Sequence, residues 1–141
     1  MTIFFAKEIV YKIEEVQDIF IKKDIKYTDS ANDELTMDIY YPENTEPNKL
    51  KPAVIFVTGY PDPGFKEMTG YKLKEVGQYI SWARLIAASG FIAITYTNSN
   101  PVLDINILLK YIVSNSVLLG IDKDKIGIWA CSGNTPKALS V

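Results

Sequence analysis

Apolar residues follow two patterns along this chain, and the change falls near residue 50. Before it, Leu35-Thr36-Met37-Asp38-Ile39-Tyr40 alternates apolar and polar positions, as a strand with one covered face does. Residues 19–28 read as a strand with weaker alternation, and Asp29-Ser30-Ala31-Asn32-Asp33 has the composition of a turn. Together they predict an antiparallel hairpin. Upstream, Ile9, Ile13, Val16 and Phe20 are spaced 4, 3 and 4, which suits a helix face over 8–20, although part of it could equally be strand. Residues 42–52 read as a polar loop.

After residue 50 the strands become continuously apolar. Ala53-Val54-Ile55-Phe56-Val57 has no polar member, the pattern of a strand covered on both faces. Leu73, Val76, Ile80, Ala83 and Ala87 recur at 3, 4, 3 and 4 and predict a helix over 71–89, with Gly90 where a C-terminal cap belongs. Residues 91–96 are a second buried strand. A second helix over 102–119 carries Ile105, Leu108, Ile112 and Leu119 on one face and closes at Gly120. Residues 126–131 are a third buried strand. Strands alternating with helices imply a parallel sheet wound right-handed, with the hairpin at its edge. The predicted fold class is therefore α/β, with three parallel strands, an antiparallel edge hairpin and helices on both faces. Sites in such sheets form at the carboxyl ends of the strands. Three loops meet that rule: 58–64, 97–101 and 131–134.

Composition narrows the function. At 141 residues the length is that of one domain, 1–141, and 48% apolar with 23% charged residues is ordinary for a globular protein. A net charge of −2 gives no basic face for nucleic acid. The single cysteine permits no internal disulfide, which fits a reducing compartment. The opening Met1-Thr2-Ile3-Phe4-Phe5-Ala6 is stopped by Lys7 and lacks the build of a signal peptide, and no apolar stretch reaches membrane-span length. The expectation is a cytoplasmic, soluble protein with no membrane partner. The histidine count is zero, no metal-ligand spacing occurs, and neither the dinucleotide nor the phosphate-loop glycine pattern follows any strand. No cofactor is expected, and a flavodoxin-like nucleotide binder lacks its phosphate loop.

The remaining chemistry lies in Gly127-Ile128-Trp129-Ala130-Cys131-Ser132-Gly133-Asn134, an apolar strand running into a turn with a serine at its apex. A nucleophile elbow holds its serine in such a turn, with small residues two before and two after so that the neighbouring backbone can come close. Ala130 and Asn134 occupy those positions, where glycine is preferred. A serine that caps a helix after a strand gives the same local pattern, and Thr58-Gly59-Tyr60 can equally be a plain turn. Cys131 reads as a small apolar residue packed beside the turn, because placing it at the apex would put Trp129 two residues before it. Asp38 reads as an exposed or edge residue, and Asp104 as a carboxylate in a first helical turn. Asp122 and Asp124 read as turn caps, and Trp82 and Trp129 as core or strand-face aromatics.

On residues 35–42, 52–59, 90–96 and 120–133 the chain resembles the N-terminal half of an α/β-hydrolase of the esterase/lipase and dienelactone-hydrolase-like group, over about residues 19–141. The resemblance implies Ser132 as nucleophile and the Tyr60 and Gly133 backbone N–H groups as the oxyanion hole. It implies a small ester or acyl substrate and acyl transfer without a cofactor. The departures are Thr58 for histidine, Ala130 and Asn134 for glycine, and the later strands that would bring the acid and the histidine. Without that base the expected activity of these 141 residues is nil or a trace. The alternative is a non-catalytic binding module or half-domain on the same fold. In either case the last strand would be an open apolar edge prone to self-association.

Overall fold

The computed structural model describes residues 19–29, 35–43, 46, 49–139 and 141. The helix-like spacing before residue 19 and most of the 29–33 turn lie outside them. Five strands form one mixed sheet: β1 (Phe20–Lys26), β2 (Thr36–Tyr41), β3 (Lys51–Phe56), β4 (Ile92–Tyr96) and β5 (Ile121–Trp129). Their order is β1-β2-β4-β3-β5. The hairpin β1–β2 is antiparallel and joins β4 antiparallel, with Met37 opposite Tyr96. Strands β3, β4 and β5 are parallel, and β3 lies between the other two. This is the predicted architecture, with the hairpin on one margin.

The period of two sorts side chains onto two cores. Met37, Ile39, Ile55, Ile92 and Ile94 face one side, where helix α3 (Pro101–Ser114) packs Ile105, Leu108 and Ile112 against them. Tyr40, Phe56 and Ala93 face the other, under Val76, Tyr79, Ala83 and Ala87. Val76 precedes helix α2 (Gly77–Ala88), which carries the other three. The small residues Ala83, Ala87 and Ala93 are fully buried and let this helix lie close to the sheet.

The elements depart from the sequence pattern in three places. A helix α1 (Asp62–Thr69), closed by Gly70 at φ 81°, fills the region after the first parallel strand. The helix expected over 71–89 is two pieces, a 3-10 turn Leu73–Glu75 and α2, separated by Val76 in an extended conformation. The turn forms where Lys72 N–H donates to the Glu75 carboxylate (2.8 Å) and the Lys74 side chain is drawn inward. Strand β5 is largely exposed, with Ile121 its one fully buried residue. Among the described residues it pairs with β3 alone, and Gly127 and Ile128 are exposed.

Asp38 is neither exposed nor at an edge. It is 5% exposed on β2, next to the centre of the sheet. Its Oδ1 accepts from Lys74 Nζ (2.5 Å) and from the Asp24 N–H (2.9 Å). Lys74 Nζ also reaches Asp24 Oδ1 at 2.6 Å. Asp24 stands at a bulge between Lys22 and Ile25 with φ 57°, a conformation that aspartate tolerates better than most residues. Its carboxyl is held below the usual range by the hydrogen bond from Lys74.

Candidate active site

The loops after β3, β4 and β5 meet at one end of the sheet and are tied together by two asparagines. After β5, Cys131 is still extended (φ −125°, ψ 148°). Ser132 then takes φ 49°, and the chain enters a 3-10 turn (Ser132–Asn134) and the short helix α4 (Thr135–Ala138). Positive φ in a non-glycine residue is costly and persists only where surroundings enforce it. The strain falls on Ser132, not on Asn134. Ser132 and Gly133 are exposed. Ser132 Oγ has no hydrogen-bond partner among the described residues. Cys131 is exposed too, which overturns its reading as a packed residue: once Ser132 turns the chain, the cysteine lies on the outer side.

Asn134 is buried. Its Nδ2 donates to Val57 O (3.0 Å), where β3 leaves the sheet, and to Tyr79 Oη (3.2 Å) on α2. Burial pushes the Tyr79 hydroxyl up to about 12. Thr58, Gly59 and Tyr60 follow Val57. Tyr60 is 66% exposed, and among the described residues its N–H meets no acceptor.

Asn98, 1% exposed after β4, holds the same loop from the other side. Its Nδ2 donates to Thr58 Oγ1 (2.8 Å) and Tyr60 O (3.0 Å). Its N–H donates to Asp62 Oδ2 (2.7 Å), while Asp62 Oδ1 accepts from Leu73 N–H (2.7 Å). Burial raises the Asp62 carboxyl above its ordinary value, and these two N–H groups oppose the rise. Asp104 fixes the 97–101 loop by accepting from the Ser99 and Asn100 N–H groups at 2.6 and 2.8 Å. Asn100 caps α3 through Leu103 N–H.

The three loops that the sequence singles out are thus brought together. The sequence pattern does not mark Asn98 or Tyr79. Asn98 had a signal, its position just past an apolar strand; Tyr79 had none, lying inside a regular helical stripe. Beside the loop, Tyr60, Pro61, Gly64, Phe65 and Met68 line an apolar hollow of about 350 Å³. Asp62, Pro63, Lys66, Lys72, Asn98 and Ser99 line a more polar one of about 260 Å³. Asp122 bonds Asp124 N–H and Lys125 away from the site. Among the described residues no three His, Cys, Asp or Glu side chains gather as metal ligands would, and no helix is long and apolar enough to cross a membrane.

No protein-family model matches the chain, and no curated protein matches it. Solved structures do. Esterase B from Lactobacillus rhamnosis matches with a TM-score of 0.72 at 18% identity, over 96% of this chain and 41% of that one. Esterase Est22 matches at 0.66 and 18%, over 90% and 40%. The esterase Est2 of Thermogutta terrifontis matches at 0.56 and 16%, over 88% and 44%. The chain therefore spans between 40% and 44% of the length of these three, and at such identities the likeness is one of fold. In sheet order, crossover helices and structural neighbours, the chain has part of an α/β-hydrolase fold.

Proposed function

We propose that the chain is the nucleophile-bearing portion of a carboxylester hydrolase domain, acting by acyl transfer through Ser132. The observation that carries this reading is Ser132 itself: an exposed serine at φ 49°, on the turn that ends a parallel strand beside the 58–60 loop. In this reading Ser132 Oγ gives its proton to a base and attacks an ester carbonyl, and the alcohol leaves with a proton returned by that base. The Tyr60 and Gly133 N–H groups stabilise the oxyanion, and water releases the acyl group. The substrate is a small ester. In support, esterase B is recorded with a tributyrin phosphonate inhibitor and Est22 with p-nitrophenol.

The base is the missing part. The 141 residues contain no histidine. Loss of the histidine in a serine triad costs about a millionfold in kcat, roughly 8 kcal/mol of barrier. A second reading follows from Ser132 Oγ having no hydrogen-bond partner among the described residues: a non-catalytic module on the same fold, in which Ser132→Ala changes nothing.

Fluorophosphonate labelling of the 141-residue chain, read by intact mass with Ser132→Ala as control, decides between them. Labelling abolished by Ser132→Ala supports the hydrolase reading. A folded chain that stays unlabelled, alone and with any partner chain that supplies a histidine, favours the module.

A further inference from the structure

Asn134 occupies a position where close approach of backbone calls for a small residue, yet it is only 7% exposed and fully engaged. Both protons of its Nδ2 are used, one on Val57 O and one on Tyr79 Oη. Its Oδ1 lies where a side chain on Gly59 would begin. A Cβ at Gly59 would stand 2.0 Å from Asn134 Oδ1, 2.9 Å from its Cγ and 3.2 Å from its Cα. The first two are side-chain atoms that the two hydrogen bonds of Nδ2 hold in place, whereas the third is a tight contact that a shift of a few tenths of an ångström relieves. Gly59 has no positive φ, so nothing in its own conformation excludes alanine. The glycine is required by the asparagine.

We propose that Asn134 is a positioning residue that latches the Ser132 turn to the 57–60 loop. It sets nucleophile and candidate oxyanion donors at a fixed separation. The latch has three points: a carbonyl on the β3 exit, a hydroxyl on α2, and the surface of Gly59. Because Asn134 is two residues from Ser132, the contacts that hold its amide also hold the strained φ at the serine. Tyr79 makes the latch a property of the packed domain, since its hydroxyl comes from a helix on the face of the sheet. This inference rests on the hydrolase reading only in giving the two loops a catalytic purpose.

A double-substitution cycle in the full chain tests the steric point. Gly59→Ala is expected to raise the unfolding equilibrium constant about 10- to 100-fold beside Asn134. In the Asn134→Gly background the same change is expected to cost less than about threefold. Asn134→Asp tests the polar points, because it keeps the shape and replaces the Nδ2 donor by an oxygen facing Val57 O. In that variant the amide resonances of Tyr60 and Ser132 are expected to move together while the fold is retained. A merely stabilising side chain would leave Tyr60, in another loop, where it was. Equal costs of Gly59→Ala in both backgrounds, or shifts confined to 131–136, would overturn the latch. Fluorophosphonate labelling separates the two readings. Coupling without labelling of the parent chain faults the hydrolase and leaves the latch; labelling with an additive cycle does the reverse.

Discussion

Replacing Lys74 by methionine isolates the one fully buried cation described in the fold. Lys74 is 2% exposed and Asp38 5%. The substitution keeps most of the side-chain volume and removes both ion pairs. Among the described residues Asp38 is left with a single donor, the Asp24 N–H at 2.9 Å. A buried charge that loses its partner costs about 3–5 kcal/mol, because desolvation is no longer offset. The Asp24 arm adds little, since that carboxylate is 69% exposed and its pairing is largely screened by water. Against a total stability of about 5–15 kcal/mol the loss is large. In urea, with a slope of about 2 kcal/mol per molar, the midpoint should fall by roughly 2 M. Lys74→Met with Asp38→Leu removes both charges and should recover most of that, as buried pairs replaced by apolar residues often do. The effect should also resist salt, because a buried pair is screened far less than an exposed one. A single substitution costing under about 1 kcal/mol would refute the reasoning. So would a double as costly as the single.

Two further outcomes follow. Burial pushes Tyr79 and Tyr96 from 10 up to about 12, so the folded chain keeps protons that the unfolded chain has lost. Their contribution, on the order of 3 kcal/mol each, is full below pH 10 and is lost as pH rises from 10 through 12. Urea titrations across that window, with Tyr79→Phe flattening the decline, check it; an unchanged decline would contradict it. At the other margin, Ile128 is 38% exposed on a strand that, among the described residues, pairs on one side only. Ile128→Lys should shift sedimentation of the chain from associated species toward monomer, and identical profiles would remove β5 as the contact.

Strand β4 was legible because five consecutive residues, Ile92–Tyr96, are buried and none is charged. The stripe Ile105, Leu108, Ile112 marked α3 for the same reason, and Pro101 with the Asn100 cap set its start. Helix α1 left almost no trace. Its apolar residues are Phe65 and Met68, one step of a helical period, behind a proline and beside a glycine. The break at Val76 was invisible because Leu73 and Val76 keep their places in the core although the backbone between them and α2 changes conformation. Asp38 misled because its partner Lys74 lies 36 residues away, and alternation carries no information about who sits opposite. At the candidate site, Ser132 could be picked out because a strand, a small residue and a turn are adjacent in sequence. The parts played by Asn98 and Asn134 could not, since their partners are 36 to 77 residues distant.

The sheet order has a consequence for how the chain folds. Strands β2 and β3 follow one another in sequence, yet β4 lies between them. Neither can complete its ladder until residues 92–96 arrive, so the hairpin and β3 wait with open edges. The closing contacts are long: Thr36 N–H meets Thr97 Oγ1 across 61 residues. Loop closure of that span must be met before pairing rewards it, which places refolding among the slower mixed folds. On a ribosome, where the chain emerges from its N-terminus, the hairpin can form early, and insertion of β4 commits the rest. The loops around Ser132, which depend on Asn98 and Asn134, assemble last.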